Sequence, residues 1–125
     1  MSKGKIAIVE DDNAISNMYR MKFELEDYEV EIANNGKDGL EMVKKFSPDI
    51  VLLDLMMPEM GGDEMLKEMR STDWGKDLKV IILTNLSEQE APTGIKELGV
   101  DSFIVKAEST PKQVAEFVSG RLGSS

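Results

Sequence analysis

The sequence predicts an α/β domain: a doubly wound, five-stranded parallel sheet with helices on both faces. Short β-rich runs alternate with longer stretches of helical periodicity five times along the chain. Five successive strand–helix units favour parallel pairing, and three of the strands are apolar on both sides, as a sheet covered on both faces requires. A chain of 125 residues suits one domain, residues 1–125, with its own core.

Five segments read as strands. The second alternates, with Tyr28, Val30 and Ile32 on one side, and is therefore a half-buried or edge strand. The third is a continuous apolar run that ends at Asp54. The five strands, in chain order, are Lys5 to Val9, Tyr28 to Ala33, Ile50 to Leu53, Val80 to Leu83 and Phe103 to Val105.

Helical spacing of apolar residues fills the segments between and after these strands. The first helix covers residues 14–25 behind Asp12 or Asn13 as N-cap, and the last begins with Thr110 as N-cap and Pro111 at N1. The second ends near Ser47-Pro48 and the third follows Gly61-Gly62. A short fourth helix should begin near Pro92, after a loop through residues 87–90, and close at Gly99.

Composition excludes several kinds of function. Fifteen basic and 24 acidic residues give a net charge of −9, which argues against nonspecific binding to nucleic acid or anionic lipid. The chain has no histidine, hence no serine-protease type of triad, and no cysteine, hence no disulfide or thiol chemistry. No signal peptide and no apolar stretch of about 18 residues stands out, so we expect a cytoplasmic protein with flexible ends at residues 1–4 and 123–125.

Acidic residues follow two of the strands. The first strand ends in Glu10-Asp11-Asp12 and the third in Asp54. A common order for five such units, 2-1-3-4-5, places these strands side by side at the point where strand order reverses, which is where ligands bind in open α/β sheets. Clustered carboxylates need a cation or a proton between them, and their hard oxygen atoms favour Mg²⁺.

Two further residues fall on the same edge of the sheet. Strand four ends in Thr84, and Lys106 follows strand five. A cation, a hydroxyl and an ammonium around one carboxylate form a site for a phosphoryl group, and a carboxylate that attacks phosphorus gives an aspartyl-phosphate. Each residue alone is more often a helix cap, a turn residue or a solvated charge. Their joint placement at four strand ends favours the site.

The chain resembles, over essentially its whole length, the response-regulator receiver domains of two-component signalling, which have a flavodoxin-like fold. The matching motifs are Ile8 to Asp12, Leu53 to Pro58 with Gly61, Ile82 to Thr84, and Phe103 to Lys106. The strand order 2-1-3-4-5 is the order found in this family, so the resemblance implies it. The resemblance implies a signalling switch, which is not an enzyme in the usual sense although it catalyses its own phosphorylation and dephosphorylation.

The resemblance also implies roles for individual residues. Asp54 would accept the phosphoryl group, and Thr84 and Lys106 would bind its oxygens. Mg²⁺ would be held by Asp11 and Asp54, by Glu10 through water, and by the backbone carbonyl of Met56. Phe103 matches the switch aromatic, which acts with Thr84.

Partners follow from the same resemblance. Because the chain lacks histidine, a sensor histidine kinase or a histidine phosphotransfer protein must supply the phosphoryl group. A downstream protein target would read the surface formed by the fourth helix, the fifth strand and the fifth helix.

Three positions depart from the family pattern. Ala107 stands where proline is usual, which favours a trans bond after Lys106; Phe103 stands where tyrosine is common; and Asn85 stands where a small residue is usual.

A degenerate receiver that binds partners without phosphorylation is the main alternative. A flavin-binding domain would need a Ser/Thr/Gly-rich loop after strand one, and a haloacid-dehalogenase-type phosphatase would need an aspartate at Met56. A stand-alone regulator and an excised receiver fit the sequence equally well.

Overall fold

A computed structural model describes residues 3–87 and 89–122 of the chain. Its five strands all pair in parallel in the order β2-β1-β3-β4-β5, which confirms the predicted sheet. Because Val9 lies opposite both Ala33 and Leu53, and Thr84 lies opposite Val105, the carboxyl ends of the strands share one edge. The strands are β1 (Lys5–Val9), β2 (Glu29–Ala33), β3 (Ile50–Leu53), β4 (Lys79–Thr84) and β5 (Ser102–Val105).

Four α-helices connect or follow the strands: α1 (Asn13–Leu25), α2 (Gly36–Phe46), α3 (Gly62–Arg70) and α4 (Pro111–Arg121). Asp12 caps α1, because its Oδ1 accepts hydrogen bonds from the N–H groups of Ala14 and Ile15 at 3.0 and 3.1 Å. Thr110 caps α4, with Gln113 completing a reciprocal capping box. These caps agree with the sequence predictions. No described helix is long and apolar enough to cross a bilayer.

Each face of the sheet carries its own apolar core. On one face, Ile6, Ile8, Leu52 and Ile81 pack against residues of α1 and α4, among them Phe23 and Val118. On the other face, Val9, Leu53 and Ile82 pack against residues of α2 and α3, among them Val43, Met65 and Leu66. Side chains alternate between the two faces along each strand, so strands apolar at every position are buried on both sides, as the sequence predicted.

The fourth crossover, residues 85–101, differs from the prediction. The predicted start near Pro92 is wrong, because the only helical segment described there is a 3₁₀ helix, Lys96–Leu98. Its closure by Gly99, with φ 78°, agrees with the prediction. A cap does form, but earlier, where Ser87 N–H donates to Glu90 Oε1 and Glu90 N–H donates to Ser87 Oγ. The N–H groups of Glu90 and Ala91 also donate to the Ser87 carbonyl. Pro92 stops a helix from continuing, because it lacks an N–H and its ring would clash with the preceding turn.

The predicted flexible ends fall partly outside the described residues, namely at 1–2 and 123–125. Backbone hydrogen bonds hold Lys3 and Gly4 to the segment that leads into β2. Lys3 N–H donates to the Asp27 carbonyl, and the Gly4 carbonyl accepts from Glu29 N–H. These bonds continue the contact between β1 and β2 beyond the sheet's amino edge.

Candidate functional site

Three carboxylates converge at the carboxyl edge of the sheet. Glu10 directly follows β1 and Asp54 directly follows β3, and oxygen atoms of Glu10, Asp11 and Asp54 lie within 4.8 Å of one another. The backbone fixes two of them, since Glu10 N–H donates to Ala33 O and Asp54 N–H donates to Val9 O. Glu10 and Asp54 are buried, at 4% and 6% exposure, whereas Asp11 is exposed. The structure thus brings together the acids that the sequence predicted.

Lys106 joins this cluster from β5. Its Nζ lies 3.2 Å from Asp54 Oδ2 and also forms a close ion pair with Glu10 Oε1. The ammonium is poorly exposed, so its charge is compensated by these two carboxylates and not by bulk water. Lys106 begins a second 3₁₀ helix, Lys106–Glu108, and the Lys106–Ala107 peptide bond is trans.

Burial and the charges of the cluster shift the pKa values of two of its groups, Glu10 and Lys106. Burial, followed by the hydrogen bond with Asp54, raises the pKa of Glu10 to about 7, although Lys106 acts in the opposite direction. Burial would lower the pKa of Lys106, but the hydrogen bond with Glu10 and the charge of Asp54 outweigh it and raise that pKa. One ammonium therefore does not balance the negative charge assembled here, and a further cation would stabilise it.

The donor set fits a hard divalent cation. Glu10, Asp11 and Asp54 offer only carboxylate oxygens, the ligands that Mg²⁺ prefers, and exposed Asp11 leaves one side open to water. The Met56 backbone is held beside them, because its N–H donates to Asp54 Oδ1 at 3.2 Å.

Thr84, Asn85 and Phe103 occupy the β4–β5 end of the same edge. Thr84 is fully buried, and its Oγ1 accepts a hydrogen bond from Leu86 N–H at 3.4 Å, while Asn85 is exposed. Phe103 is half-buried and packs against the core under α2 and α3, the face toward which Ile82 points. Because side chains alternate, Thr84 shares that face with Ile82 and Phe103.

The loop between β3 and α3 is held by contacts that the sequence analysis did not predict. Any side chain at Gly62 would collide with the carbonyl of Asp54. A Cβ at Gly36, the first residue of α2, would lie 2.5 Å from the Met60 carbonyl, which accepts the Gly36 N–H. Gly61-Gly62 was visible as a break before a helix, but the contact between Gly36 and Met60 is long-range and leaves no local signal.

Comparison with known proteins shows the family to which the chain belongs. Residues 6–118 match the family model described as the response regulator receiver domain. The response regulator MprA of Mycobacterium leprae (strain TN) is 35% identical over 102 residues, covering 82% of this chain and 44% of the relative. The chain therefore spans less than half of that relative's length.

Solved structures agree with this match. A CheY-like response regulator receiver domain from Methanospirillum hungatei JF-1 superposes with a TM-score of 0.84 at 30% identity, covering 94% of this chain and 92% of that one. The Mn²⁺-bound form of response regulator Rcp1 superposes with a TM-score of 0.83 over 98% of this chain and 96% of that one, and at 24% identity it supports the fold alone. With this fold, this cluster of carboxylates and a family match over nearly its full length, the chain belongs to the response regulator receiver domains.

Proposed function

We propose that this chain is a phosphorylatable receiver: Asp54 accepts a phosphoryl group from a histidine of another protein, with Mg²⁺, and the change alters the protein's contacts with a partner. One observation carries the proposal. Asp54 stands at the carboxyl edge of the sheet with Glu10 and Asp11 within 4.8 Å and the Lys106 ammonium 3.2 Å from its Oδ2. The complete set of acidic residues and the poorly exposed Lys106 ammonium argue against a degenerate receiver that is not phosphorylated.

The chemical step uses Asp54 as the nucleophile. A carboxylate oxygen attacks phosphorus, a P–O bond forms, and the P–N bond to the donor's imidazole breaks, leaving the electron pair on that nitrogen. Lys106 and the Thr84 hydroxyl would bind oxygens of the transferred group. Asp11 and Asp54 would hold Mg²⁺ directly, Glu10 through water, and Met56 through its carbonyl. When bound, the cation neutralises charge on the phosphoryl oxygens.

The response would pass from Thr84 to Phe103. Thr84 is fully buried at the end of β4, and a phosphoryl oxygen would offer its hydroxyl a charged acceptor. A shift of Thr84 frees space on the face that it shares with Phe103. The half-buried ring can then fill that space and repack the surface made by the fourth crossover, β5 and α4.

The partners follow from the chain's own composition. These 125 residues contain no histidine, so the phosphodonor lies outside them, in a sensor histidine kinase or a histidine phosphotransfer protein. The output is a change in contact with a downstream protein. We place the exchange in the cytoplasm, which supplies the ATP that a kinase needs.

Phosphoryl transfer from a small donor tests the proposal. Incubation with Mg²⁺ and acetyl phosphate should add the mass of one phosphoryl group, which intact-protein mass spectrometry detects. Asp54→Asn should abolish the gain in mass. Asp11→Asn should make the gain in mass the same with and without Mg²⁺. Asp12→Asn is the matched control, because asparagine keeps the cap on α1 and Asp12 is outside the proposed ligand set. No mass gain in the unaltered protein would favour the degenerate receiver.

Asn85 should set how long the phosphoryl group lasts. Its exposed side chain follows Thr84 at the site's open end, where it and Met56 would screen the phosphoryl group from water. Asn85→Ala should therefore speed dephosphorylation, as measured by loss of the added mass after the phosphodonor is removed. An unchanged rate would contradict this role.

A further inference from the structure

Two methionines are far more exposed than the others that the structure describes. Met21 is 65% exposed and Met56 is 61% exposed. Met65 and Met69 are fully buried, and the other described methionines, at 18, 42, 57 and 60, are half-buried. Oxidation of a thioether by a dissolved peroxide depends on access to the sulfur, so these two residues are the first targets among the described methionines.

Met56 differs from Met21 in what lies beside it. Met56 N–H donates to Asp54 Oδ1 at 3.2 Å, so its Cα lies within about 5 Å of that oxygen, because the N–Cα bond adds only about 1.5 Å. The unbranched, flexible methionine side chain can therefore bring its sulfur over the acceptor carboxylate. Met21 lies on α1, on a part of the helix surface away from the buried side formed by Ser16, Tyr19 and Phe23.

We propose that Met56 is a peroxide-sensitive modification site that regulates the aspartyl-phosphate at Asp54, an inference that rests on the proposed function. A peroxide transfers one oxygen atom to the sulfur. The sulfur lone pair forms the S–O bond while the O–O bond breaks, so methionine becomes the sulfoxide and hydrogen peroxide becomes water. No proton remains on the protein, and sulfoxide reductases reverse the change.

The sulfoxide changes the covering of the site. An unmodified side chain is apolar and displaces water from the open side of the acceptor. The sulfoxide oxygen carries partial negative charge and accepts hydrogen bonds, so it holds water beside the phosphoryl group and is repelled by the phosphoryl oxygens. Water held at this position is the nucleophile that hydrolyses the aspartyl-phosphate. Oxidation should therefore shorten the phosphoryl lifetime about two- to tenfold, the range that the gain or loss of one hydrogen bond spans.

The test compares the unaltered chain with Met56→Leu and Met21→Leu. Each protein is treated with hydrogen peroxide, the peroxide is removed with catalase, and the protein is phosphorylated with acetyl phosphate and Mg²⁺. Peptide mapping measures sulfoxide at each methionine, and intact mass follows loss of the phosphoryl group. We expect treatment to shorten the lifetime in the unaltered chain and in Met21→Leu, whereas the lifetime of Met56→Leu, whatever its own value, stays the same after treatment.

Several results would overturn the proposal. One is an unchanged lifetime in a sample whose Met56 is mapped as sulfoxide; another is a shortened lifetime that persists in Met56→Leu; a third is slower oxidation at Met56 than at the half-buried methionines.

Met56→Gln adds a permanent polar oxygen at this position and should dephosphorylate faster than Met56→Leu without any peroxide. If the untreated chain takes up no phosphoryl group, the proposed function itself fails and the regulation fails with it, which is a different result from a lifetime that peroxide leaves unchanged.

Discussion

The third and fourth crossovers of this chain cover the same face of the sheet but are built differently. The third contains α3, a nine-residue helix that buries Met65, Leu66 and Met69. The fourth, residues 85–101, has one three-residue 3₁₀ helix, and Ile95 is its only buried residue among those described. A segment with so few buried contacts needs little free energy to rearrange. The proposed switching surface therefore includes the less stable of the two crossovers.

The largest difference should appear in core truncations. Leu66→Ala in α3 should lower the free energy of unfolding by about 2–5 kcal/mol, because the surrounding helix and sheet cannot close the cavity. Ile95→Ala should cost about 2 kcal/mol or less, because the short segment around it can collapse into the space. Urea unfolding of both variants measures this. Equal losses would show that the fourth crossover is as firmly packed as α3.

Arg70 links the two crossovers and should come next in size. Its guanidinium donates to the carbonyls of Leu98 and Gly99 in the fourth crossover, at 2.7 and 2.9 Å, and to Gly75 at 2.7 Å. Arg70→Met should lower stability by about 1–3 kcal/mol, because partly buried carbonyls lose their donors.

Hydrogen exchange should show where Arg70 acts. Protection should fall across residues 95–99 more than in α3. Arg20→Met is the matched control, since the buried Arg20 Nε makes no hydrogen bond to a described residue and lies 4.0 Å from Glu24 Oε2, in an i,i+4 pair worth at most about 0.5 kcal/mol. An even loss of protection throughout Arg70→Met would contradict a local role.

A pair of glycine substitutions should have small effects of opposite sign. Gly99 has φ 78°, so Gly99→Ala should destabilise the protein by about 1 kcal/mol. Gly120 lies in α4 with nothing within 4 Å of the position of a Cβ, and Gly120→Ala should stabilise by about 0.5 kcal/mol. Thermal unfolding of both variants gives the signs. A stabilising Gly99→Ala would mean that the turn after the 3₁₀ helix is free to adopt another conformation.

The smallest effect should be the response of the Ser87 cap to pH. Hydrogen bonds from the Ser87 backbone and then from its side chain lower the pKa of Glu90. A lowered pKa in the folded protein means that the cap is present above the ordinary glutamate pKa and is lost as pH falls through the lowered value. The Ser87 amide chemical shift should follow that titration and should stay flat in Glu90→Gln. A flat profile in the unaltered chain would show that the cap does not depend on the charge.

Sequence reasoning succeeded where one local pattern decides the outcome. Strand positions followed from apolar runs, whereas the strand order came from the resemblance to the family. Glu10, Asp54 and Thr84 lie at one edge because each stands at the end of a parallel strand. It failed at Pro92, where the preference for N1 competed with the effect of proline inside a helix. The only helix described there begins at Lys96, although the loop before it and the closure at Gly99 agree with the prediction. The double contact of Lys106 depends on the direction of the chain after β5, which a 3₁₀ helix sets and no periodicity reveals.

Gly62 and Glu10 would have different fates in a descendant that no longer exchanged phosphate. Gly62 must stay, because a larger residue would strike the Asp54 carbonyl and disturb the start of α3 whether or not that aspartate is ever phosphorylated. Glu10 is 4% exposed among other acids, so replacing it with a neutral residue would relieve repulsion and selection for stability would favour the change. In distant relatives, a retained glycine here would report only inheritance of the fold, whereas a retained Glu10 would be evidence of continuing selection for the chemistry.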